Sequence, residues 1–382
     1  VGIEGRGYGS HQKNCSKNIC CHQAINRGIN MNMKAMVLKE ICEIKTKGAS
    51  RMLFNLPFKE KPLEMVEIPR PVPGPGQILV RVSSCGVCHT ELDEIEGRLK
   101  APYLPLVPGH EIVGRVDMAG PNASRFKPGD RVGIAWIYSS CGTCKFCLSD
   151  HENLCESFQA TGLDANGGYA EYMVVQETFA YPIPDIFSDS QAAPLLCAGV
   201  IGYRALRLSG VEPGQTIGLY GFGASAHISL QVAKHWGCKV FVFSRKSSGH
   251  HRELALSLGA DWVGTTEDTP PERLDCAIDF TPAGKPVRQA LWNVEKGGRV
   301  VINAIRKIET IPELDYTNHI WHEKELKSVA NVTRQDAIEF LPLAAEIGIY
   351  PEVQEFELGE ANHVLALLKQ GEIRGAGVLV IS

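Results

Sequence analysis

The sequence predicts an α/β protein in which a β-rich, barrel-like domain is joined to a doubly wound parallel sheet, and three observations predict it. Short apolar runs broken by Pro-Gly turns fill residues 34 to about 185. From about residue 215 strand-like and helix-like stretches alternate. A glycine-rich turn joins the first of those strands to the first of those helices.

The length of 382 residues fits two or three domains at roughly 100–200 residues each. With 44% of residues hydrophobic and 21% charged, the chain has apolar material for a packed core, which excludes a disordered polymer. A net charge of −4 offers no broad cationic surface to a phosphate backbone, so no nucleic-acid partner is expected. The best uncharged apolar stretch, Ala192 to Tyr203, is shorter than the roughly 18–20 residues of a membrane span and contains Pro194, so no span is expected. Thirteen cysteines, four of them crowded between Cys141 and Cys155, read as metal ligation rather than an extracellular disulfide frame, and a reducing cytoplasm is expected.

Residues 1–32 lack periodicity and open on Ile3-Glu4-Gly5-Arg6, which resembles a factor Xa protease site, so they are expected to be a tag or leader without structure. The cluster Cys20-Cys21-His22 within them has no strand or helix to hold a metal site rigid. Residues 33–187 form the β-rich domain, with a strand at Gln77-Ile78-Leu79-Val80-Arg81-Val82 and turns at Pro73-Gly74, Pro108-Gly109 and Pro128-Gly129. Residues 188–329 form the parallel-sheet domain, with strands at Thr216–Tyr220, Lys239–Ser244, Leu274–Phe280 and Arg299–Ala304 and a helix over Ala224–Trp236. Residues 330–382 begin as a helix and end in Gly377-Val378-Leu379-Val380-Ile381, a strand able to return to the first domain.

Cys141, Cys144, Cys147 and Cys155 supply four thiolates within fifteen residues, the number and softness of a closed, structural zinc site. An iron–sulfur cluster fits the first three spacings but not the fourth. A second set is dispersed: Cys88 after a strand, His110 after Pro108-Gly109, and Cys197 near the domain boundary. Singly each reads as a core residue; together, two thiolates and one imidazole leave one zinc position open, as a catalytic site needs.

Gly221-Phe222-Gly223-Ala224-Ser225-Ala226 follows a strand and opens a helix, so it fits G-x-G-x-x-A in the context of a dinucleotide loop. Gly221 permits the turn, Gly223 lets backbone approach a pyrophosphate, and small Ala226 permits close packing of helix on strand. The next strand ends in Ser244-Arg245-Lys246, with His250 and His251 close by, where an NAD enzyme usually places an acid on the ribose hydroxyls. Those donors suit a 2′-phosphate, so NADP(H) is expected over NAD(H).

From about residue 34 onward these motifs resemble, in order and spacing, the zinc-containing medium-chain alcohol dehydrogenases. The resemblance implies a GroES-like catalytic domain, a Rossmann domain, and hydride transfer between NADP(H) and a small primary alcohol or aldehyde. It implies that Cys88, His110 and Cys197 hold catalytic zinc, that Glu111 is an acidic neighbour able to approach it, and that Cys141, Cys144, Cys147 and Cys155 hold structural zinc. It implies that Glu91 orients His110, that Thr90 receives the alcohol proton, and that His89 and Arg374 reach the phosphates alongside Gly221, Phe222, Gly223 and Ala226. Two positions depart from the pattern. Asp93 stands where many relatives have a proton-relaying histidine, and Ile201 replaces a common threonine. Trp136 matches an aromatic that narrows the pocket toward small primary alcohols. A homo-oligomer, dimer or tetramer, is expected. Polyols, cinnamyl-type alcohols and activated alkenes are alternative substrates, and a zinc-stabilised dinucleotide-binding protein without turnover is a different class of reading.

Overall fold

The computed structural model describes residues 32–45, 56–245 and 249–382; the expected leader with its Cys20-Cys21-His22 cluster, Lys246, and the side chain of His250 lie outside the described residues. The first unit is a seven-stranded, mostly antiparallel sheet that runs, in order, Ala180–Pro182, Arg131–Ile134, Ile112–Ala119, Gln77–Val87, Ala376–Val380 and Val353–Glu357, with Tyr172–Gln176 also paired to Gln77–Val87. A separate hairpin pairs Asn32–Leu38 with Leu63–Pro69.

Gln77–Val87 is the spine of this unit. Three neighbours cover it, so it reads as nearly continuous apolar text rather than strict alternation, and most of its length is buried. Register shifts at Leu79/Val80 and Val82/Ser84 bend the strand. Its end delivers Cys88 directly to the start of the helix His89–Ile95.

The second unit is a six-stranded, wholly parallel sheet in the order Trp262–Thr265, Lys239–Ser244, Thr216–Tyr220, Leu274–Asp279, Val294–Ile302, Glu325–Ser328. The order reverses between Thr216–Tyr220 and Leu274–Asp279, and the crevice at the carboxyl ends of those two strands is where open α/β sheets take ligands. A second cluster of core side chains, including Tyr220, Phe243, Leu274 and Leu291, packs separately from the main core that runs through both units.

The helix Ala198–Ser209 lies against the helix Ala224–His235, and Gly202 permits the approach: a Cβ there would stand 2.6 Å from Ser229 Oγ. The chain after residue 330 does not return to the first sheet at once. The helix Arg334–Ile347 first packs on Ala198–Ser209, tied by a buried Arg204–Asp336 ion pair at 2.7 Å. The return begins at Val353–Glu357 and ends with Leu379 opposite Cys85, antiparallel to the spine strand. No described helix is long and apolar enough to cross a membrane.

Candidate functional site

Cys88 caps the helix His89–Ile95 in the manner usually served by serine or threonine. Its Sγ accepts from the Thr90 backbone N–H at 3.3 Å, while Glu91 Oε2 accepts from the Cys88 N–H at 2.8 Å, closing a capping box. The other oxygen of Glu91 lies 2.6 Å from His110 Nδ1. With Nδ1 donating to that carboxylate, Nε2 presents its lone pair toward Cys88 Sγ, 3.6 Å away.

His110 follows Gly109, whose φ of 100° and contact with the Tyr169 ring leave no place for a side chain. Cys197 arrives from the other direction, as the N-cap of Ala198–Ser209. The donor atoms of Cys88, His110, Glu111 and Cys197 all lie within 4.8 Å of one another. Gly86 makes room for the Glu111 carboxylate, because a Cβ there would collide with it.

The electrostatics of this cluster are those of a site built around a cation. A hydrogen bond with Cys197, followed by burial, pushes the Cys88 thiol well above its ordinary range. Burial raises the Glu111 carboxyl to about 7. Two half-buried thiols with a buried carboxyl and a buried imidazole form a donor set, soft in its sulfurs, that suits a divalent metal of zinc type. Thr90 is buried two residues from Cys88, and the ring of Trp136 packs edge-on against His110 with centroids 4.8 Å apart.

Asp93 is buried and ion-paired. Its side chain is 3% exposed and is held by Arg98 Nε at 2.5 Å and by Arg306 Nε at 3.0 Å. Both guanidinium groups therefore engage the carboxylate that the sequence offered as an outer proton relay. Sequence reasoning passed over both arginines. It also passed over Glu94, one helical turn beyond Thr90, which is buried with neither carboxyl oxygen hydrogen-bonded among the described residues.

The second cysteine set also converges: Cys141, Cys144, Cys147 and Cys155 lie within 4.8 Å of one another, with Cys144 Sγ 3.6 Å from Cys147 Sγ. The backbone N–H groups of Thr143 and Cys144 lower the Cys141 thiol to about 6. Glu152 within this lobe accepts from the backbone N and the Nε of Arg334 at 2.7 and 2.9 Å, docking the lobe on the helix Arg334–Ile347.

At the switch point of the parallel sheet, Gly221 has φ 86° and donates to Phe243 O at 2.7 Å; a Cβ there would lie 2.9 Å from the Thr281 methyl. Gly223 is the N-cap of Ala224–His235 with no side-chain cap and open space where a Cβ would stand, so the first N–H groups of that helix remain available to an anion. Ala226 is fully buried, and Phe222 is buried against His227. Ser244, at the end of the adjacent strand, is 2% exposed and its Oγ has no partner among the described residues; Arg245 beside it is exposed. His89 is exposed on the first turn of the helix His89–Ile95, whereas Arg374 is engaged by Glu352 at 2.7 Å.

Comparison with known proteins places this geometry in context. Residues 74–185 match the alcohol dehydrogenase GroES-like domain and residues 226–346 match the zinc-binding dehydrogenase domain. The chain is 44% identical over 330 residues, 85% of its length and 94% of the relative's, to a protein of Mycobacterium tuberculosis named "Probable alcohol dehydrogenase AdhA". Among solved structures it is similar to a cinnamyl alcohol dehydrogenase from Sorghum bicolor (27% identity, TM-score 0.77, 91% of this chain and 97% of that one). It is also similar to an acetophenone reductase from Geotrichum candidum in complex with NAD (26% identity, TM-score 0.77, 92% and 98%).

Proposed function

Because the chain belongs to the zinc-containing medium-chain alcohol dehydrogenase family, we propose that it transfers a hydride between NADP(H) and a small primary alcohol or aldehyde. The observation that carries this reading is the convergence of Cys88, His110 and Cys197, drawn from three distant stretches of sequence, beside the buried Thr90. Those three residues would hold a zinc ion, which would supply Lewis acidity at the alcohol oxygen, and a bound nicotinamide would supply or accept the hydride.

Everything else is done by this chain. Glu91 keeps the His110 ring in the orientation and tautomer that a ligand needs. Thr90 exchanges the proton with the alcohol oxygen, and Glu111 adds a carboxylate donor beside the two thiols and the imidazole. Trp136, packed on His110, narrows the space beside the reacting carbon and favours small substrates. The uncapped N-terminus at Gly223 receives the diphosphate, and the unpartnered Ser244 hydroxyl with Arg245 supports an NADP(H) preference. The four thiols of the Cys141–Cys155 lobe would hold a second, structural zinc.

The test is loss of NADPH and NADH absorbance with a panel of aldehydes that includes acetaldehyde and cinnamaldehyde, before and after a chelator. Chelator-sensitive NADPH oxidation with small aldehydes is expected. Turnover confined to cinnamaldehyde would favour the second reading, a cinnamyl-type alcohol dehydrogenase, for which the Sorghum bicolor structure speaks. No turnover with any aldehyde would leave a non-catalytic dinucleotide binder.

A further inference from the structure

The ion pair between Asp93 and Arg306 joins the two units of the chain. Asp93 lies on the helix His89–Ile95, whose N-cap is Cys88 and whose first turn holds Thr90. Arg306 lies beyond the strand Val294–Ile302, in a loop fastened to the carboxyl end of the parallel sheet. Asn303 N–H donates to Asp279 O at 2.8 Å, Ile308 N–H donates to Pro282 O at 2.9 Å, and Lys307 Nζ bonds Thr281 O at 2.6 Å and the carboxylate of Asp279. Asp279 pairs in register with Tyr220, the residue before Gly221. The pair therefore ties the helix that carries the metal ligand to the sheet end that carries the dinucleotide loop.

Asp93 keeps a partner whether or not Arg306 is present. Arg98, from its own unit, holds it at 2.5 Å and is itself held by Glu96 Oε2 at 2.5 Å; Glu96 Oε1 in turn accepts from Lys369 at 2.6 Å. A buried carboxylate stripped of every cation is strongly destabilising, but this one is not stripped when Arg306 leaves. Arg306 is the exposed member, with 41% of its side chain accessible, so removing it leaves Asp93 buried on Arg98 and the fold intact. Its contribution then lies in geometry rather than stability, since hydride transfer requires reacting atoms within roughly 3–3.5 Å.

We propose that Arg306 is a positioning residue for hydride transfer, holding the helix that bears Cys88 and Thr90 in register with the dinucleotide loop through its ion pair with Asp93. The role rests on the dehydrogenase reading above. It is tested on the full chain with Arg306→Gln, Arg306→Lys, Asp93→Asn and the Asp93→Asn/Arg306→Gln double variant. In protein without dinucleotide, amide hydrogen exchange of residues 303–308 should rise equally in Arg306→Gln and Asp93→Asn and no further in the double variant. In single-turnover NADPH oxidation, Arg306→Gln should slow hydride transfer about tenfold, the double variant no more, and Arg306→Lys should recover most of the rate. Salt near 1 M, where the screening length is about 3 Å, should slow the wild type toward the Arg306→Gln rate and leave that variant unchanged. Defects that multiply to about a hundredfold in the double variant would overturn the role. So would a loss of NADPH affinity in Arg306→Gln that Asp93→Asn does not share, which would make Arg306 a cofactor ligand. A wild type inactive with every aldehyde overturns the dehydrogenase reading and the role together; an active wild type with either of the preceding results overturns the role alone.

Discussion

Glu91 and His110 are both buried and lie 2.6 Å apart, carboxylate oxygen to Nδ1, although nineteen residues separate them in the chain. The same carboxylate closes the capping box on Cys88, so one side chain sets both the helix that presents a thiolate and the ring that presents a nitrogen. Glu91→Gln should therefore lower zinc affinity at this site by about 10- to 100-fold while the fold survives. Competition with a chromophoric chelator measures it; an unchanged affinity would mean that His110 needs no orienting partner.

The two cysteine clusters should respond differently to loss of a ligand. Cys144→Ser opens a closed site that docks on Arg334 through Glu152, so melting temperature and soluble yield should fall. Cys88→Ser should abolish turnover with the protein still folded, because the surrounding strand and helix have a large core of their own. Metal content, melting and rates on both variants test this. Full activity in Cys88→Ser protein that lacks metal at that site would remove the assignment.

Arg245→Ala should weaken NADPH far more than NADH. A charge-assisted hydrogen bond contributes about 1.5–3 kcal/mol, or roughly 10- to 150-fold in affinity, and only NADPH has the phosphate that would lose it. Fluorescence titration with both dinucleotides decides the matter, and equal losses would reduce Arg245 to a surface charge.

Glu94 carries a pH signature. Burial, then the neighbouring Glu91 charge, holds its carboxyl well above the usual 4.5. An acid whose folded pKa is raised adds its full stability below the unfolded value and loses it as pH rises toward the folded one. Glu94→Gln cannot ionise and escapes that loss, so it should melt higher than wild type at pH 8, by about 1–3 kcal/mol in stability, and lose the advantage near pH 4.5. A variant no more stable than wild type at pH 8 would show that Glu94 has a partner in solution.

What was legible in the chain was what local chemistry dictates. The four thiols of the lobe fall within fifteen residues, and Gly221 and Gly223 stand between a strand and a helix, so spacing alone exposes them. Buried strands such as Thr216–Tyr220 announce themselves by apolar runs. The edge strand Glu325–Ser328 does not, because all four of its residues are exposed and nothing in ELKS alternates.

The sequence by itself determined the two sheet types, the cysteine lobe and the dinucleotide turn, since each depends on residues a few positions apart. Only the tertiary structure decided the partners of charged side chains. Asp93 meets Arg306, 213 residues away, only in the folded chain. Nothing in the spacing of Glu94 announces that it is buried. Ion pairing and burial are set by which surfaces the folded sheets bring together, and no period or spacing along a chain encodes a contact of that range.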